Sequence, residues 1–376
     1  MKTPANPFIL GKYVSSKYFC DRNEETEQLR KHIANGRNVT LISPRRMGKT
    51  GLIRHFFSQD DVREKYSTVF IDIYATRSLT EFAYLFSNAV YASVKGNLLT
   101  QIQQFFKAVS SLSVGLKFDA ITGDPTLDLQ MGHITSPYDT IKQLFDYLES
   151  MPKPVIVAID EFQQIGEYAE QNTEALLRTM IQDCSNTHFI FAGSKRHVIA
   201  NMFNSPAKPF YQSTFLMGLE AIPCDTYTAF AVDLFKAYSK DVTTETVEAA
   251  YKQGKGVTWY VQAIMNELFA DTATAETCAI DSIPKALRNI IAANSGNYLE
   301  TFANLSERQK QVLIAIARAG EVAEISSTQF ITANSLGSAS IVQSAMRALL
   351  KHDIVTKENA TYRVSDIFFS QWVAQY

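Results

Sequence analysis

The chain contains 376 residues, of which 46% are hydrophobic and 20% are charged, a balance that is typical of a globular protein with a sizeable core. Its 36 basic and 38 acidic residues give a formal net charge of -2, which excludes a bulk electrostatic attraction to nucleic acid or anionic lipid and leaves only local patches for such contacts. The length favours two or three domains.

The cysteines and the apolar runs favour a cytoplasmic protein with reduced thiols. Cys20, Cys184, Cys224 and Cys278 lie far apart, and no pair has the spacing of metal ligands or of a disulfide framework. The opening sequence MKTPANPFILGKYV has no apolar run long enough for a signal peptide. No stretch approaches the roughly 18 apolar residues of a membrane span, so we expect no membrane contact.

Apolar strand patterns alternate with helical patterns in the first 219 residues. Residues 38–43 form a short apolar run before a loop, and the apolar side chains of residues 51–60 then share one helical face. Further strands are predicted at residues 66–74, 154–160, 188–194 and 213–219. Further helices are predicted at residues 79–94 and 138–149. The alternation predicts an α/β domain over residues 1–219, with a parallel sheet covered by helices on both faces.

The pattern changes in two other parts of the chain. Residues 95–137 carry Gly, Pro and Asp and are predicted to be an insertion with a short hairpin. Between residues 220 and 304 no strand pattern is found, and helical periodicity predicts a helical subdomain. Its helices are expected at residues 226–238, 244–252, 259–270 and 283–302.

The last part, residues 305–376, predicts a winged helix-turn-helix. Ser306 and Gln309 form a capping box that opens a helix, and a hairpin is predicted with its turn at Glu358-Asn359. The elements are expected at residues 306–318, 328–333, 338–351 and 354–364. Core packing of the helix after the hairpin is expected to bury Phe368, Phe369 and Trp372.

The sequence LISPRRMGKTGL, residues 41–52, resembles a phosphate-binding loop. It contains Gly48-Lys49-Thr50, as in the motif G-x-x-x-x-G-K-[ST], but Ser43 stands where the motif has its first glycine. Because a proline follows, Ser43 is expected to be extended and to have no need of glycine's conformational freedom.

Such a loop aims backbone N–H groups at phosphate oxygens, and the dipole of the following helix adds to the attraction. Lys49 is expected to reach the β- and γ-phosphates, and the Thr50 hydroxyl to ligate Mg²⁺. The predicted nucleotide-binding residues of the loop are Pro44, Arg45, Arg46, Met47, Gly48, Lys49, Thr50 and Gly51. The alternative is an ordinary strand–turn–helix in which Gly-Lys-Thr is incidental and the arginines are simply solvated.

Asp160 and Glu161 end an apolar strand pattern, PVIVAIDE. An acidic pair at the carboxyl end of a strand lies where ligands bind in open α/β sheets. Asp160 is expected to hold the Mg²⁺ shell, and Glu161 to polarise the attacking water as general base. The alternative, a helix N-terminus that two carboxylates make favourable, explains less well why the pair ends a strand downstream of such a loop.

Another strand pattern, HFIFAGS, ends in Ser194 and is followed by Lys195 and Arg196. A polar residue at this position is expected to sense the γ-phosphate or to orient the water. The alternative is ordinary turn chemistry, because Gly-Ser marks turns in any case. Lys195 and Arg196 are each expected to be solvated.

Together these elements resemble the archaeal-type ATPase family of P-loop proteins, a branch near the STAND ATPases and the AAA+ origin-recognition group. The resemblance spans about residues 8–372 and includes the box FCDRNEETEQL before the loop. It implies a P-loop NTPase sheet, a helical lid at residues 220–304, a C-terminal winged helix, and ATP or ADP with Mg²⁺ as cofactors. It also places Phe19 and Arg22 near the adenine, with an ion pair at a helix start as the alternative for Arg22. In the lid, Gly256 matches the family's GxP motif, but Thr258 replaces the proline.

The expected function is Mg²⁺-dependent ATP hydrolysis used as a conformational switch, with Lys49, Glu161 and Ser194 as the catalytic residues. The alternative is a DNA-binding regulator that uses the winged helix, with nucleotide only as a sensor. Residues 306–376 carry seven basic and six acidic residues, which favours a protein contact over tight DNA binding. ATP binding without turnover, and assembly into an oligomer, stay open.

Overall fold

The computed structural model describes residues 3–94, 99–111, 115–118, 125–128, 134–358 and 360–376. The chain forms two compact units. The first, called here the sheet unit, is Gly11–Ile222, and the second, called the helical unit, combines Met1–Leu10 with Pro223–Tyr376. Among the residues described, no helix is both long enough and apolar enough to cross a membrane.

A five-stranded parallel sheet forms the centre of the sheet unit. The strands of this unit are β1 (Val39–Ile42), β2 (Ser67–Asp72), β3 (Gly115–Phe118), β4 (Pro125–Asp128), β5 (Val155–Asp160), β6 (Thr187–Gly193) and β7 (Phe215–Gly218). The sheet has the order β2-β5-β6-β1-β7, and all its neighbours pair in parallel. The predicted α/β fold is confirmed, with all five predicted strands present. Strands β3 and β4 form a separate antiparallel hairpin within the predicted insertion.

Eight α-helices of the described chain belong to this unit. They are α1 (Asn23–Ala34), α2 (Lys49–Ser58), α3 (Asp60–Lys65), α4 (Leu79–Val94), α5 (Leu99–Ala108), α6 (Pro137–Glu149), α7 (Thr173–Gln182) and α8 (Arg196–Asn204). Helix α6 starts one residue before its predicted start, because the Ser136 side chain accepts a hydrogen bond from the Asp139 N–H and Pro137 occupies the first turn. Aromatic rings, among them Phe162, Phe189 and Phe191, fill the core between sheet and helices.

The register of the sheet brings several polar residues to one edge. Ile42 of β1 pairs with Gly193 of β6, so Ser43 and Ser194 leave the sheet at the same level. The neighbouring strand β5 ends there in Asp160. This carboxyl edge of the parallel strands is where open α/β sheets bind their ligands.

The first part of the helical unit is almost entirely helical. Its elements are α9 (Cys224–Ala237), β8 (Asp241–Val242), α10 (Thr244–Gln253), α11 (Thr258–Asp271), β9 (Thr277–Cys278) and α12 (Ile283–Ala303). The expectation of no strand between residues 220 and 304 is wrong in one detail, since β8 and β9 pair in parallel. Two residues are too few for an alternating pattern to reveal a strand.

The start of the chain, residues 3–10, is called here the N-terminal strap and packs into the helical unit. Phe8 is fully buried, with its ring centroid 5.9 Å from that of Phe269. Asn6 donates to the backbone oxygen of Asn266 at 2.8 Å, and Asn266 donates in return to the backbone oxygen of Phe8 at 2.7 Å. The strap is therefore held by both apolar burial and paired hydrogen bonds.

The rest of this unit is the winged helix. It consists of α13 (Glu307–Ala319), α14 (Thr328–Ala333), α15 (Ala339–Lys351), β10 (Val355–Glu358), β11 (Thr361–Val364) and α16 (Ile367–Val373). The predicted capping box of Ser306 and Gln309 is present, and β10 pairs with β11 in an antiparallel hairpin. Asn359 of the predicted turn lies outside the described residues. The predicted burial of Phe368, Phe369 and Trp372 is confirmed.

Candidate functional site

The loop between β1 and α2 has the backbone of a strand–loop–helix phosphate site. Gly48 precedes α2 with φ 95°, a left-handed conformation that favours glycine. Nothing lies within 4 Å of a Cβ placed on Gly48, so the backbone conformation, and not lack of space, requires the glycine. Ser43 is not among the residues with positive φ, which agrees with the expectation that this position needs no glycine.

Lys49 lies folded against the start of its own loop. Its Nζ donates to the backbone oxygens of Ser43 and Pro44, at 2.9 and 3.0 Å, and to Ser43 Oγ at 3.2 Å. Burial lowers the pKa of Lys49 to about 8, while the charges of Glu161 and Asp160 act in the opposite direction. The serine that replaces the first glycine of the motif thus supplies an oxygen to the lysine, a role that the sequence did not suggest.

Asp160 lies next to the first turn of α2. The Thr50 Oγ1 donates to Asp160 Oδ2 at 2.5 Å, and the Glu161 N–H donates to Asp160 Oδ1 at 3.0 Å. Burial raises the pKa of Asp160; the charges of Glu161 and Asp72 raise it further, while the Thr50 hydrogen bond and the Lys49 charge lower it. The predicted pair of metal ligands, Thr50 and Asp160, is therefore in direct contact.

Glu161 is held at the carboxyl edge by a polar network. The residue has φ 56° and precedes a 3-10 helix, Phe162–Glu167. Its Oε2 accepts hydrogen bonds from Ser194 Oγ at 2.7 Å and from Gln163 Nε2 at 2.5 Å. Ser194 is buried and receives a longer contact of 3.4 Å from Arg45 Nε.

The structure places the basic residues around the loop at different depths. Arg45 and Arg46 are exposed, and the Arg45 guanidinium lies 5.6 Å from the centre of the Tyr74 ring. Arg196 is exposed and Lys195 is half-buried at the start of α8. The three residues predicted to be catalytic, Lys49, Glu161 and Ser194, are buried or held by hydrogen bonds at one edge of the sheet, whereas Arg45, Arg46 and Arg196 are exposed.

Phe19, from the box before the loop, rests on helix α2. Its ring stacks on His55, with centroids 4.5 Å apart and planes 18° apart, and meets Tyr13 edge to face at 5.7 Å. A Cβ added to Gly51 would lie 3.2 Å from Phe19 Cε2. The predicted nucleotide-binding residues Phe19 and Gly51 therefore touch each other.

Arg22 is buried and joins three segments of the sheet unit. Its guanidinium pairs with Glu25 at 2.7 Å and donates to the backbone oxygens of Met47, at 3.3 Å, and Glu220, at 2.7 Å. The ion pair that the sequence offered as the alternative for Arg22 is present. The two backbone contacts tie the box to the phosphate-binding loop and to the end of the sheet unit.

Residues 19–264 match the family described as "ATPase domain predominantly from Archaea". The chain belongs to this family. Residues 296–375 also match a second family, described as "Probable winged helix domain". The resemblance drawn from the box, the loop and the acidic strand end is therefore confirmed.

Solved structures of other P-loop ATPases share this fold. The Walker-type ATPase paby2304 of Pyrococcus abyssi superposes with a TM-score of 0.67 at 20% identity, covering 98% of this chain and 100% of that one. The Aeropyrum pernix ORC2 protein, solved as ADPNP–ADP complexes, gives 0.61 at 14% identity, with 98% and 95% covered. The ORC1 protein of the same organism, solved with DNA, gives 0.55 at 12% identity, with 99% and 96% covered. Among curated proteins, the comparison found no match.

The side chains of this archaeal-family ATPase domain suit a phosphate chain and a Mg²⁺ ion. Lys49 offers a cation, and Thr50 and Asp160 offer the oxygen ligands that Mg²⁺ prefers. In the part of the chain that the structure describes, no group of three or more His, Cys, Asp or Glu is arranged to hold a metal ion. A Mg²⁺ ion held jointly by one or two protein oxygens, phosphate and water does not need such a group.

Two polar contacts in this ATPase domain were missed at the level of sequence. Gln163, two residues after the general-base candidate, contacts Glu161 directly, and Ser43 contacts Lys49 through its hydroxyl. The only hint for Gln163 was its position in the sequence DEFQQI. Its contact depends on the left-handed backbone at Glu161, which no motif indicates.

Proposed function

We propose that this protein is a Mg²⁺-dependent ATPase whose turnover serves as a conformational switch. One observation carries the proposal: Lys49, the Thr50–Asp160 pair and the Glu161–Ser194 pair converge at the carboxyl edge of one parallel sheet. Membership in the archaeal ATPase family supports the same activity. Each of the three groups answers a separate need of phosphoryl transfer, namely phosphate binding, charge neutralisation and activation of water.

Binding would use the loop and the start of α2. The backbone N–H groups from Arg46 to Thr50 would donate to the phosphate oxygens, helped by the dipole of the helix. Lys49 would exchange its contacts with the Ser43 and Pro44 carbonyl oxygens for contacts with the β- and γ-phosphates. Thr50 and Asp160 would hold Mg²⁺, which neutralises negative charge on the phosphates when bound.

Hydrolysis would use the pair at the neighbouring strand ends. Glu161 would accept the proton of the attacking water as general base. The Ser194 hydroxyl, 2.7 Å from Glu161 Oε2, would help to align the Glu161 carboxylate. The proton moves from water to the carboxylate while the oxygen of that water attacks the γ-phosphorus and the ADP oxygen leaves. The balanced products are ADP and inorganic phosphate.

The switch would act through Arg22, whose hydrogen bonds connect the phosphate-binding loop to the end of the sheet unit. Arg22 contacts the backbone oxygen of Met47 in the loop and that of Glu220 near the end of the unit. A change of the loop on hydrolysis would therefore strain or relax a contact close to where the chain leaves for the helical unit at Pro223. We propose that this contact carries nucleotide state out of the site.

Nucleotide binding and turnover of the wild type, Lys49→Ala and Glu161→Gln test the proposal. Lys49→Ala is expected to lose nucleotide affinity, because the phosphates lose their cation. Glu161→Gln is expected to bind ATP and Mg²⁺ but to turn over at least roughly a hundredfold more slowly, in line with the loss of a general base. Lys31→Ala, which removes an exposed lysine of α1, serves as the control. Equal turnover in all four proteins would remove the ATPase assignment.

A second candidate function is DNA binding by the winged helix, with nucleotide as sensor. The outward face of α15 is exposed at Ser340, Gln343, Ser344 and Arg347, while Leu349 is fully buried. The Aeropyrum ORC1 protein was solved in complex with DNA, which supports testing the same for this chain. A gel shift on mixed duplex DNA at moderate salt, compared with Arg347→Ala, is the test. The absence of a shift at micromolar protein would leave a protein partner as the use of this face.

A further inference from the structure

We propose that Gln163 is a positioning residue that fixes the orientation of the general base Glu161, an inference that rests on the proposed ATPase function. Two donors, Gln163 Nε2 and Ser194 Oγ, converge on the same carboxylate oxygen, Oε2 of Glu161, at 2.5 and 2.7 Å. A carboxylate oxygen has two lone pairs in its plane, so both are used at Oε2. The other oxygen, Oε1, is left as the one that can accept the proton of water.

The contact of Gln163 is built into the fold. The side chain is 4% exposed and lies in the 3-10 helix that begins directly after Glu161. It packs against β6 at Gly193, where an added Cβ would overlap Gln163 Oε1 and would also lie 3.0 Å from Ile199 Cδ1. The backbone of β6 at Gly193 therefore bounds one side of the Gln163 amide. The amide has little freedom to turn away from Glu161.

The choice of glutamine here has no evident packing reason. Within the described residues, Gln163 Oε1 is buried and has no hydrogen-bond partner, and an unpartnered buried carbonyl oxygen disfavours the folded state. An apolar side chain of similar length would pack without that penalty. The amide nitrogen must be the atom facing Glu161, because a carboxylate can only accept hydrogen bonds. The benefit of the glutamine therefore lies in its one polar contact, and that contact is with the general base.

The substitution Gln163→Met tests the inference, because it keeps the length of the side chain and removes the donor. We expect kcat to fall about tenfold, the size of one hydrogen bond to a charged group. KM should change by less than about twofold, because the Gln163 side chain contacts the general base and lies against Gly193 of β6. The matched control is Gln164→Met. The side chain of this neighbouring glutamine donates to the Thr76 backbone oxygen. Its contact with Glu161 is made by the backbone N–H, which donates to the Glu161 backbone oxygen at 2.9 Å and stays in place in the variant, so the variant should keep the wild-type kcat.

Urea denaturation of Gln163→Met separates positioning from damage to the fold. The variant removes the buried Gln163 Oε1 that has no hydrogen-bond partner in the described part of the chain, so its free energy of unfolding is not expected to fall. A lower kcat at unchanged stability and unchanged KM supports the positioning role, whereas a matching loss of stability contradicts it.

The outcomes distinguish this inference from the proposed function. Wild-type turnover that disappears in Glu161→Gln, together with an unchanged kcat in Gln163→Met, keeps the ATPase and overturns the role of Gln163. No turnover in the wild type overturns both. A rise of kcat in Gln163→Met also overturns the inference, because it would mean that the amide restrains the base. A crystal structure of Gln163→Met is expected to show the Glu161 carboxylate rotated away from Ser194, and an unmoved carboxylate contradicts the proposal.

Discussion

Lys49 carries its charge in an environment that disfavours it. The side chain is 6% exposed, and burial lowers its pKa to about 8. The pKa of a lysine in an unfolded chain is about 10.4. Between these values the unfolded chain holds a proton that the folded chain has released. The free energy of unfolding therefore rises with pH through this window, and the penalty is fully present below about pH 8.

Lys49→Met tests this penalty. Relative to the variant, wild type is expected to gain up to about 3 kcal/mol in free energy of unfolding as pH rises from about 8 to 10.4, because the buried charge disappears. Urea denaturation of both proteins across this range measures the difference, with Lys31→Met as a surface control. Parallel pH dependences of wild type and Lys49→Met would contradict the lowered pKa.

The site residues that could be predicted from the sequence are those that belong to a short, continuous motif. Lys49, Thr50 and Asp160 follow from a loop motif and a strand end, and the structure brings them together. The contact of Gln163 with Glu161 could not be predicted, since it depends on a left-handed φ at one residue. The two backbone partners of Arg22 could not be predicted either, because the oxygens of Met47 and Glu220 are distant in sequence.

At the scale of elements, helix α2 serves two surfaces at once. Its first turn begins with Lys49 and Thr50 of the phosphate-binding loop. On another face of the helix, the ring of Phe19 packs over Gly51 and stacks on His55. Glycine inside a helix disfavours the helix by up to about 1 kcal/mol relative to alanine. Its presence at position 51 is explained by the ring that lies over it.

Gly51→Ala and Gly296→Ala form a matched pair for this element. Both glycines lie inside helices, but a Cβ at Gly296 of α12 would meet nothing within 4 Å, whereas one at Gly51 would crowd Phe19. We expect Gly296→Ala to raise the free energy of unfolding by up to about 1 kcal/mol and to leave nucleotide affinity unchanged. Gly51→Ala should gain less stability and weaken nucleotide binding several-fold, on the prediction that Phe19 lies near the base.

Calorimetric titration with ADP and denaturation of the two variants give these numbers. Equal affinities in both variants would remove Phe19 from the nucleotide site. Equal gains in stability would mean that the ring moves aside without cost.

Long regular elements were predictable because their apolar periodicity extends over many residues. Helix α4 has the predicted bounds, and α12 differs by one residue at its end. The two-residue strands β8 and β9 escaped because their pairing is set by neighbours and not by their own pattern. The turn at Asn359 lies outside the described residues, so that part of the winged helix stays a prediction.

At the scale of the whole molecule, the chain enters and leaves the sheet unit once each. It enters at Gly11, directly after the N-terminal strap, and leaves after Ile222. The predicted division at residues 219 and 304 treats the chain as consecutive domains and stays a prediction. The strap could not be predicted, because its partners Phe235 and Phe269 lie more than half the chain away.

The strap yields a prediction about which unit depends on it. Phe8 is fully buried against Phe235 and Phe269, and removing a buried phenylalanine ring typically costs about 3–5 kcal/mol. In Phe8→Ala we expect amide hydrogen exchange to accelerate in α9 and α11, because these helices lose their contact with the Phe8 ring. The acceleration should be the change in opening equilibrium to which that loss of stability corresponds. Amides of β5 should exchange as in wild type, because both aromatic partners of Phe8, Phe235 and Phe269, lie in the helical unit.

Leu10→Ala is the matched control, since Leu10 belongs to the same strap but its side chain is 38% exposed. The backbone oxygen of Leu10, which accepts from Trp259 Nε1 at 3.3 Å, stays in place in that variant, so the control keeps the polar anchor and removes only apolar surface. Faster exchange in α9 and α11 of Phe8→Ala alone would mean that the helical unit opens without the sheet unit. Equal acceleration in β5 would contradict this, because it requires the two units to unfold as one cooperative body, and the strap would then stabilise the nucleotide site as well.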